Sequence, residues 1–256
     1  MSTILSLKNV SKLFGGVRAV DDFTYDFERG KITALIGPNG AGKTTAFNLI
    51  GGHLQPDTGT VTFEGQKLSR RTSWGIASLG IGRLFQDVRL FGRMTVLDNV
   101  MTAFPGQRGE SFSRGLSSLW TEIKQEKSRQ KQAMELLEMV GLANKADALA
   151  ENISFGQQKL VALVRAFATN AKLLLLDEPT TGVNPGMIRS LLDTVKTFAE
   201  KDERTIIFVE HNIEVVRSLA HKVVFMTAGK IQNCGTPSDV LSDPKVRTMY
   251  VGQHAA

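Results

Sequence analysis

Cys234 is the only cysteine in the 256-residue chain. A single thiol excludes an internal disulfide and leaves no material for a cysteine-based metal cluster, a usage that fits a reducing cytosol. No apolar run approaches the roughly eighteen residues of a membrane-spanning helix, so none is expected. The opening MSTILSLKNV has no basic stretch followed by a long apolar one, so no signal peptide is expected. Internal repeats and low-complexity tails are absent as well. What is there has ordinary globular composition, 42% hydrophobic and 22% charged, in a length that suits one large domain or two small ones. The formal charge of +6 is compatible with nucleotide, nucleic acid or an anionic membrane surface, and equally with an ordinary basic solvated surface.

The patterning changes along the chain. ILSLKNV and AVDDFTYDF alternate and predict two antiparallel strands. KITALIG predicts a short buried strand that runs into a Gly-rich turn, and TTAFNLI a helix closed by Gly51-Gly52. GTVTFEG reads as a further strand. TVLDNVMTAF is helical, FPGQRGESFSRG a polar loop over 104–115, and TEIKQEKSRQKQAMELLEMVG a charged amphipathic helix ending at Gly141. Residues 88–155 therefore read as a helical subdomain inserted into an α/β core of residues 1–87 and 156–256. Beyond it, Leu160, Leu163, Val164 and Phe167 recur at helical spacing. KLLLLD has the continuous apolar character of a strand buried on both faces. PGMIRSLLDTVKTFAE, TIIFVEH, NIEVVRSLA and KVVFM then alternate helix, strand, helix, strand. That order predicts a mostly parallel sheet with helices on both faces.

GPNGAGKT at 37–44 matches G-x-x-x-x-G-K-[ST] between a strand and a helix. Glycines allow successive backbone N–H groups to converge on phosphate oxygens, and the helix N-terminus adds positive potential. Lys43 is placed to reach the β- and γ-phosphates, and the Thr44 hydroxyl to ligate Mg²⁺. LLLLDEP at 173–179 ends a buried strand in Asp177, whose carboxylate can orient Mg²⁺. Glu178 follows and, by strand alternation, points elsewhere, which makes it the candidate general base for water. Together these motifs define a nucleoside triphosphatase. The lone histidines His53, His221 and His254 read as structural or surface residues. At 153–158, ISFGQQ has no nucleophile or base of its own; Ser154-x-x-Gln157 is a capping box at the mouth of a helix.

With these motifs in this order, nearly the whole chain resembles the ATP-binding cassette family. ISFGQQ stands where that family has its signature, LSGGQ, and Gln86 in RLFQDV where it has the Q-loop glutamine. His211 in FVEHN takes the switch-histidine position, and TTGVN at 180–184 the D-loop. Phe14 lies where the family places the aromatic that stacks on adenine. The resemblance implies a RecA-like P-loop core with an N-terminal antiparallel β subdomain and an inserted helical subdomain. It implies ATP and Mg²⁺, held by Phe14, Gly37, Pro38, Asn39, Gly40, Ala41, Gly42, Lys43, Thr44 and Thr45, with Thr44, Gln86 and Asp177 on the metal and Glu178, His211 and Lys43 in catalysis. It also implies that Ser154, Gly156 and Gln157 complete the ATP site of a second cassette subunit rather than their own.

Two positions depart from the family pattern. Phe155 replaces the first signature glycine, and Asn184 replaces the D-loop aspartate. Both are similar to what the branched-chain amino acid importer ATPases carry, as are FGGVRAVDD and VRLFGRMTVLDNV. The expected function is therefore the ATPase subunit of an importer of branched-chain or other amino acids, at the cytoplasmic face of the membrane. Its partners would be a second cassette, two permease subunits and, indirectly, a substrate-binding protein; no nucleic acid is expected. Lipopolysaccharide export and a soluble iron–sulfur assembly cassette are the alternatives. Val88, Leu90 and Phe91, set among Arg89 and Arg93, are the candidate surface for a permease helix.

Overall fold

The computed structural model describes residues 2–105, 119–201 and 203–251. In chain order the elements are β1 (Thr3–Phe14), β2 (Val17–Glu28), β3 (Ile32–Ile36), α1 (Lys43–Ile50), β4 (Thr58–Phe63), β5 (Gln66–Lys67), α2 (Ser73–Ser78) and β6 (Ile81–Leu84). Next come α3 (Val96–Met101), α4 (Leu119–Met139), α5 (Phe155–Ala168), β7 (Leu173–Asp177), α6 (Pro185–Lys201) and β8 (Thr205–Val209). The chain closes with α7 (Ile213–Leu219), β9 (Lys222–Thr227), β10 (Lys230–Gly235), α8 (Pro237–Ser242) and α9 (Pro244–Val251). Contacts group these residues into two units. The polar loop expected over 104–115 lies, from residue 106 onward, outside the described residues, as does His254.

The first unit comprises Met1–Arg83, Lys172–Pro179 and Lys196–Ala256. It holds an antiparallel sheet in the order β2-β1-β4-β5 and a second sheet in the order β10-β9-β3-β8-β7-β6. The alternation of β1 is interrupted where Asn9 and Asp22 both adopt positive φ and the register shifts. The Asn9 Nδ2 donates to Asp22 Oδ1 at 2.8 Å, a side-chain bond that suits residues tolerating left-handed backbone. β3, β7 and β8 are buried along their whole length, as continuous apolar runs in a parallel sheet should be.

Leu35 and Asp177 both pair with Val209, one on each side of β8. Parallel pairing thus gathers the carboxyl ends of β3, β7 and β8 along one edge, where open α/β sheets bind ligands. The fully buried side chains of Phe23, Phe27, Phe47 and Phe63 fill the core behind that edge. β10 pairs antiparallel with β9 and was not legible as a strand. Its sequence KIQNCG is an edge pattern of exposed and half-buried residues with too few apolar side chains to signal itself. His221, read as structural, accepts the Ile32 N–H at Nδ1, 3.0 Å away.

The second unit comprises Leu84–Ala171 and Thr180–Val195. α5 carries Leu160, Leu163, Val164 and Phe167 on its buried face, as their spacing predicts. Asn99 on α3 is fully buried and clamps the segment before it. Its Oδ1 accepts the Phe91 N–H at 2.9 Å, while its Nδ2 donates to Phe91 O at 3.0 Å and Thr95 O at 2.9 Å. With the backbone held this way, the Phe91 ring is left 53% exposed, with the Arg165 guanidinium 5.4 Å from its centre.

Candidate functional site

The turn between β3 and α1 is built by close approach. A Cβ on Gly42, which has φ +98°, would lie 2.1 Å from Ala19 O, so only glycine lets the loop pass β2 at this point. Lys43 is buried, and its Nζ donates to Gly37 O at 2.7 Å and Pro38 O at 2.9 Å. Burial pushes its ammonium below the usual lysine range, against the opposing pull of the Glu178 and Asp177 carboxylates. A cavity of about 270 Å³ opens beside it. Asn39, Gly40, Ala41, Gly42, Thr44, Thr45, Glu178 and His211 line that cavity with Lys43, so sequence positions far apart converge there. The Thr44 side of the turn is exposed, and the first turn of α1 carries no acidic residue to oppose an anion.

The opposite wall comes from the ends of β7 and β8. Strand alternation is not what turns Glu178 away from Asp177. β7 ends at Asp177, and Glu178 takes a left-handed backbone with φ 47°. Its N–H still donates to Val209 O at 3.0 Å. Such a φ is uncommon for a side-chain-bearing residue and aims the carboxylate out of the strand plane. His211 Nε2 lies 3.1 Å from Glu178 Oε1, so with its proton on Nε2 the imidazole donates to the candidate base. Asp177 is buried and accepts from Arg83 Nη2 at 3.1 Å through Oδ2. Arg83 and Ala19 were missed in the sequence. A charge within the short apolar run IGRLF was the available signal, since a buried arginine needs a partner.

Thr44 and Asp177, both in the first unit, offer hydroxyl and carboxylate oxygens, the hard donors that Mg²⁺ prefers. Among the described residues no group of three or more His, Cys, Asp or Glu side chains forms a metal cage. A donor set with one carboxylate fits a cation that shares its shell with phosphate oxygens and water.

The remaining sequence candidates stand elsewhere. Phe14, 46% exposed at the end of β1, has Lys12 Nζ 5.7 Å from its ring centre and is not among the cavity-lining residues. Gln86, Ser154, Gly156 and Gln157 belong to the second unit. Gln86 is exposed. Ser154 and Gln157 form the expected capping box at the start of α5. The Gln157 N–H donates to Ser154 Oγ at 3.3 Å, and the Ser154 N–H to Gln157 Oε1 at 3.0 Å.

The two departures from the family pattern meet in this unit. A Cβ on Gly156 would meet Met187 Sδ at 3.3 Å and Asn184 N at 4.0 Å. A Cβ on Gly182 would stand 2.8 Å from Phe155 Cε1. Asn184 Oδ1 accepts the Gly186 N–H at 2.9 Å and so caps α6. Gly182 also has φ +74°. Gly182→Ala is therefore expected to cost about 1–2 kcal/mol for left-handed alanine alone, plus the overlap with the Phe155 ring. Thermal unfolding of Gly182→Ala, Phe155→Ala and the double variant checks this. The double variant should recover the overlap part; simple additivity of the two losses would rule the contact out.

A family model described as ABC transporter matches residues 20–181. A probable branched-chain amino acid transport ATP-binding protein LivG of Archaeoglobus fulgidus is 37% identical over 251 residues, covering 97% of this chain and 95% of the relative. The high-affinity branched-chain amino acid transport ATP-binding protein LivG of Salmonella typhimurium is 31% identical, with 98% of each chain covered. Among solved structures, an ATP-binding cassette of an ABC transporter in its ADP conformation is 33% identical with a TM-score of 0.83, over 98% of this chain and 100% of that one. A dimeric ATP-binding cassette bound to ADP and Pi in a post-hydrolysis state is 26% identical with a TM-score of 0.76, over 91% and 99%.

Proposed function

The chain belongs to the ABC transporter family and is an ATPase cassette, and on that premise we propose that it powers an importer of branched-chain amino acids. The observation that supports this reading most is the convergence of the cradle, the Glu178 carboxylate and His211 around one cavity. The near full-length likeness to branched-chain transport ATP-binding proteins supports the cargo. Among the described residues no helix is long and apolar enough to cross a membrane. The proposed setting is peripheral, on the cytoplasmic face, bound to permease subunits and paired with a second cassette. In this reading residues 88–155 act as the helical subdomain between the Q-loop and the signature.

ATP is the substrate. The amides of residues 37–42 and the Lys43 ammonium bind its β- and γ-phosphates, and Phe14 offers a ring face to the adenine. Thr44 and Asp177 would hold Mg²⁺, which when bound spreads the negative charge of the phosphates; Gln86 is assigned to the same ion by the family resemblance alone. Glu178 takes the proton of a water as its oxygen bonds to the γ-phosphorus; the bond to the β–γ bridging oxygen breaks, releasing ADP and phosphate. His211 holds the Glu178 carboxylate and donates towards a γ-phosphate oxygen in turn. The N-terminus of α5, with Gly156 buried at its base, closes on the γ-phosphate bound by the second subunit. Hydrolysis then requires both subunits, and dimer closure is the stroke delivered to the permease.

The exposed Phe91 ring, with Val88 and Leu90 half-buried beside it in sequence, is the proposed anchor for a short cytoplasmic helix of the permease. Phe91→Asp is expected to abolish uptake while basal ATP hydrolysis by the purified chain persists; unchanged uptake would remove Phe91 from the interface. The import reading itself is tested in cells lacking this chain. Uptake of labelled leucine should fall and return with the wild type but not with Glu178→Gln. Undiminished uptake in the absence of the chain would overturn the cargo.

A further inference from the structure

Arg83 has a role that neither the motifs nor the relatives assign. Its guanidinium sits at a three-way junction inside the first unit. Nη1 donates to Asn48 Oδ1 at 2.6 Å, on the helix that follows the cradle. Nη2 donates to Asp177 Oδ2 at 3.1 Å, at the end of β7. The plane lies 5.9 Å from the centre of the fully buried Phe47 ring. Both members of the ion pair have side chains only 10% exposed.

Stability alone does not account for such a pair. A buried ion pair meets a desolvation penalty that its attraction often fails to offset, and a well-packed apolar replacement is commonly as stable. What the pair does provide is orientation. A guanidinium is a planar fork with fixed donor directions, so one side chain can set two acceptors at a defined angle; an ammonium cannot. Here the two acceptors belong to the cradle helix and to the strand that carries Asp177. One carboxylate oxygen, Oδ2, is taken by Arg83, which leaves Oδ1 for another ligand.

We propose that Arg83 is a positioning residue for the divalent cation: it locks the Asp177 carboxylate in register with the cradle helix, so that Oδ1 stays directed to the metal. The proposal rests on the reading of Asp177 as a metal carboxylate given above. It also ties the hydrolytic site to β6, the strand that carries Arg83. Loss of a group that orients a metal ligand typically weakens metal affinity about 10–100-fold.

The test uses the purified full chain and fluorescent ADP, with Mg²⁺ titrated in. Arg83→Met is expected to raise the Mg²⁺ concentration for half-maximal effect by about tenfold or more, with ADP affinity in the absence of Mg²⁺ unchanged. Arg83→Lys, which keeps the charge and loses the fork, should shift it in the same direction by less. Asn48→Ala, which leaves the ion pair intact, gives a folded variant with a small shift of the same sign if Arg83→Met fails to fold. A folded Arg83 variant with the wild-type Mg²⁺ dependence overturns the proposal. So does an equal loss of ADP affinity with and without Mg²⁺, which marks a merely structural role. Asp177→Asn separates the two readings. If it shifts Mg²⁺ dependence while the Arg83 variants do not, only the positioning role falls; if it too leaves Mg²⁺ dependence unchanged, the metal assignment of Asp177 falls with it.

Discussion

Glu178→Gln is expected to lower ATP turnover by about 10²–10⁴-fold, the range of a lost general base, with nucleotide affinity close to that of the wild type. Glutamine keeps the shape of the side chain and the His211 contact but cannot accept the water's proton. The left-handed backbone at Glu178 is retained, because the replacement changes only the head group. With hydrolysis blocked and binding preserved, ATP should hold the subunits together. Steady-state phosphate release, run beside size-exclusion chromatography with Mg·ATP, measures both effects. A variant that still turns over ATP within a few-fold of wild type would move the base elsewhere in the cavity, with His211 the next candidate.

Gly156→Asp is expected to reduce hydrolysis by about 10²–10³-fold, the cost of losing a preorganised donor at a reacting oxyanion, while the isolated chain binds ATP normally. The residue is buried at the start of α5 with room for little more than one carbon, since a Cβ there would already stand 3.3 Å from Met187 Sδ. A carboxylate there places negative charge at the helix end proposed to receive the partner's γ-phosphate. Equilibrium ATP binding by the dilute chain and hydrolysis at high protein concentration separate the two effects. Equal loss in both assays would mean that the signature turn serves its own subunit's cradle, and the two-subunit site would be abandoned.

The cradle, the LLLLDEP strand and the capped signature turn were legible because each is a local pattern with a local cause. Gly42 must be glycine where the loop passes Ala19 O, the four leucines of β7 are buried on both faces, and Ser154 and Gln157 cap one another within a single turn. What could not be read depends on contacts between segments distant in the chain. Glu178 turns left-handed while its N–H stays bonded to Val209 O on the neighbouring strand, a long-range pairing that the local sequence does not show. The Arg83 junction joins residues 48, 83 and 177, and nothing in the spacing of IGRLF announces its partners. β10 escaped because an edge strand buries too little to leave an apolar signature. Phe155 and Asn184 looked like separate departures along the chain; the packing of Phe155 on Gly182 and of Gly156 beside Asn184 N makes them neighbours.

Affinity purification of the tagged chain from its native membranes in mild detergent, with the partners identified by mass spectrometry, tests the central claim most directly. The account predicts polytopic permease subunits and a second cassette ATPase, with the permease lost from the Phe91→Asp chain. Recovery of soluble scaffold, ribosomal or DNA-bound partners without any permease would contradict the transport function while leaving the ATP site intact.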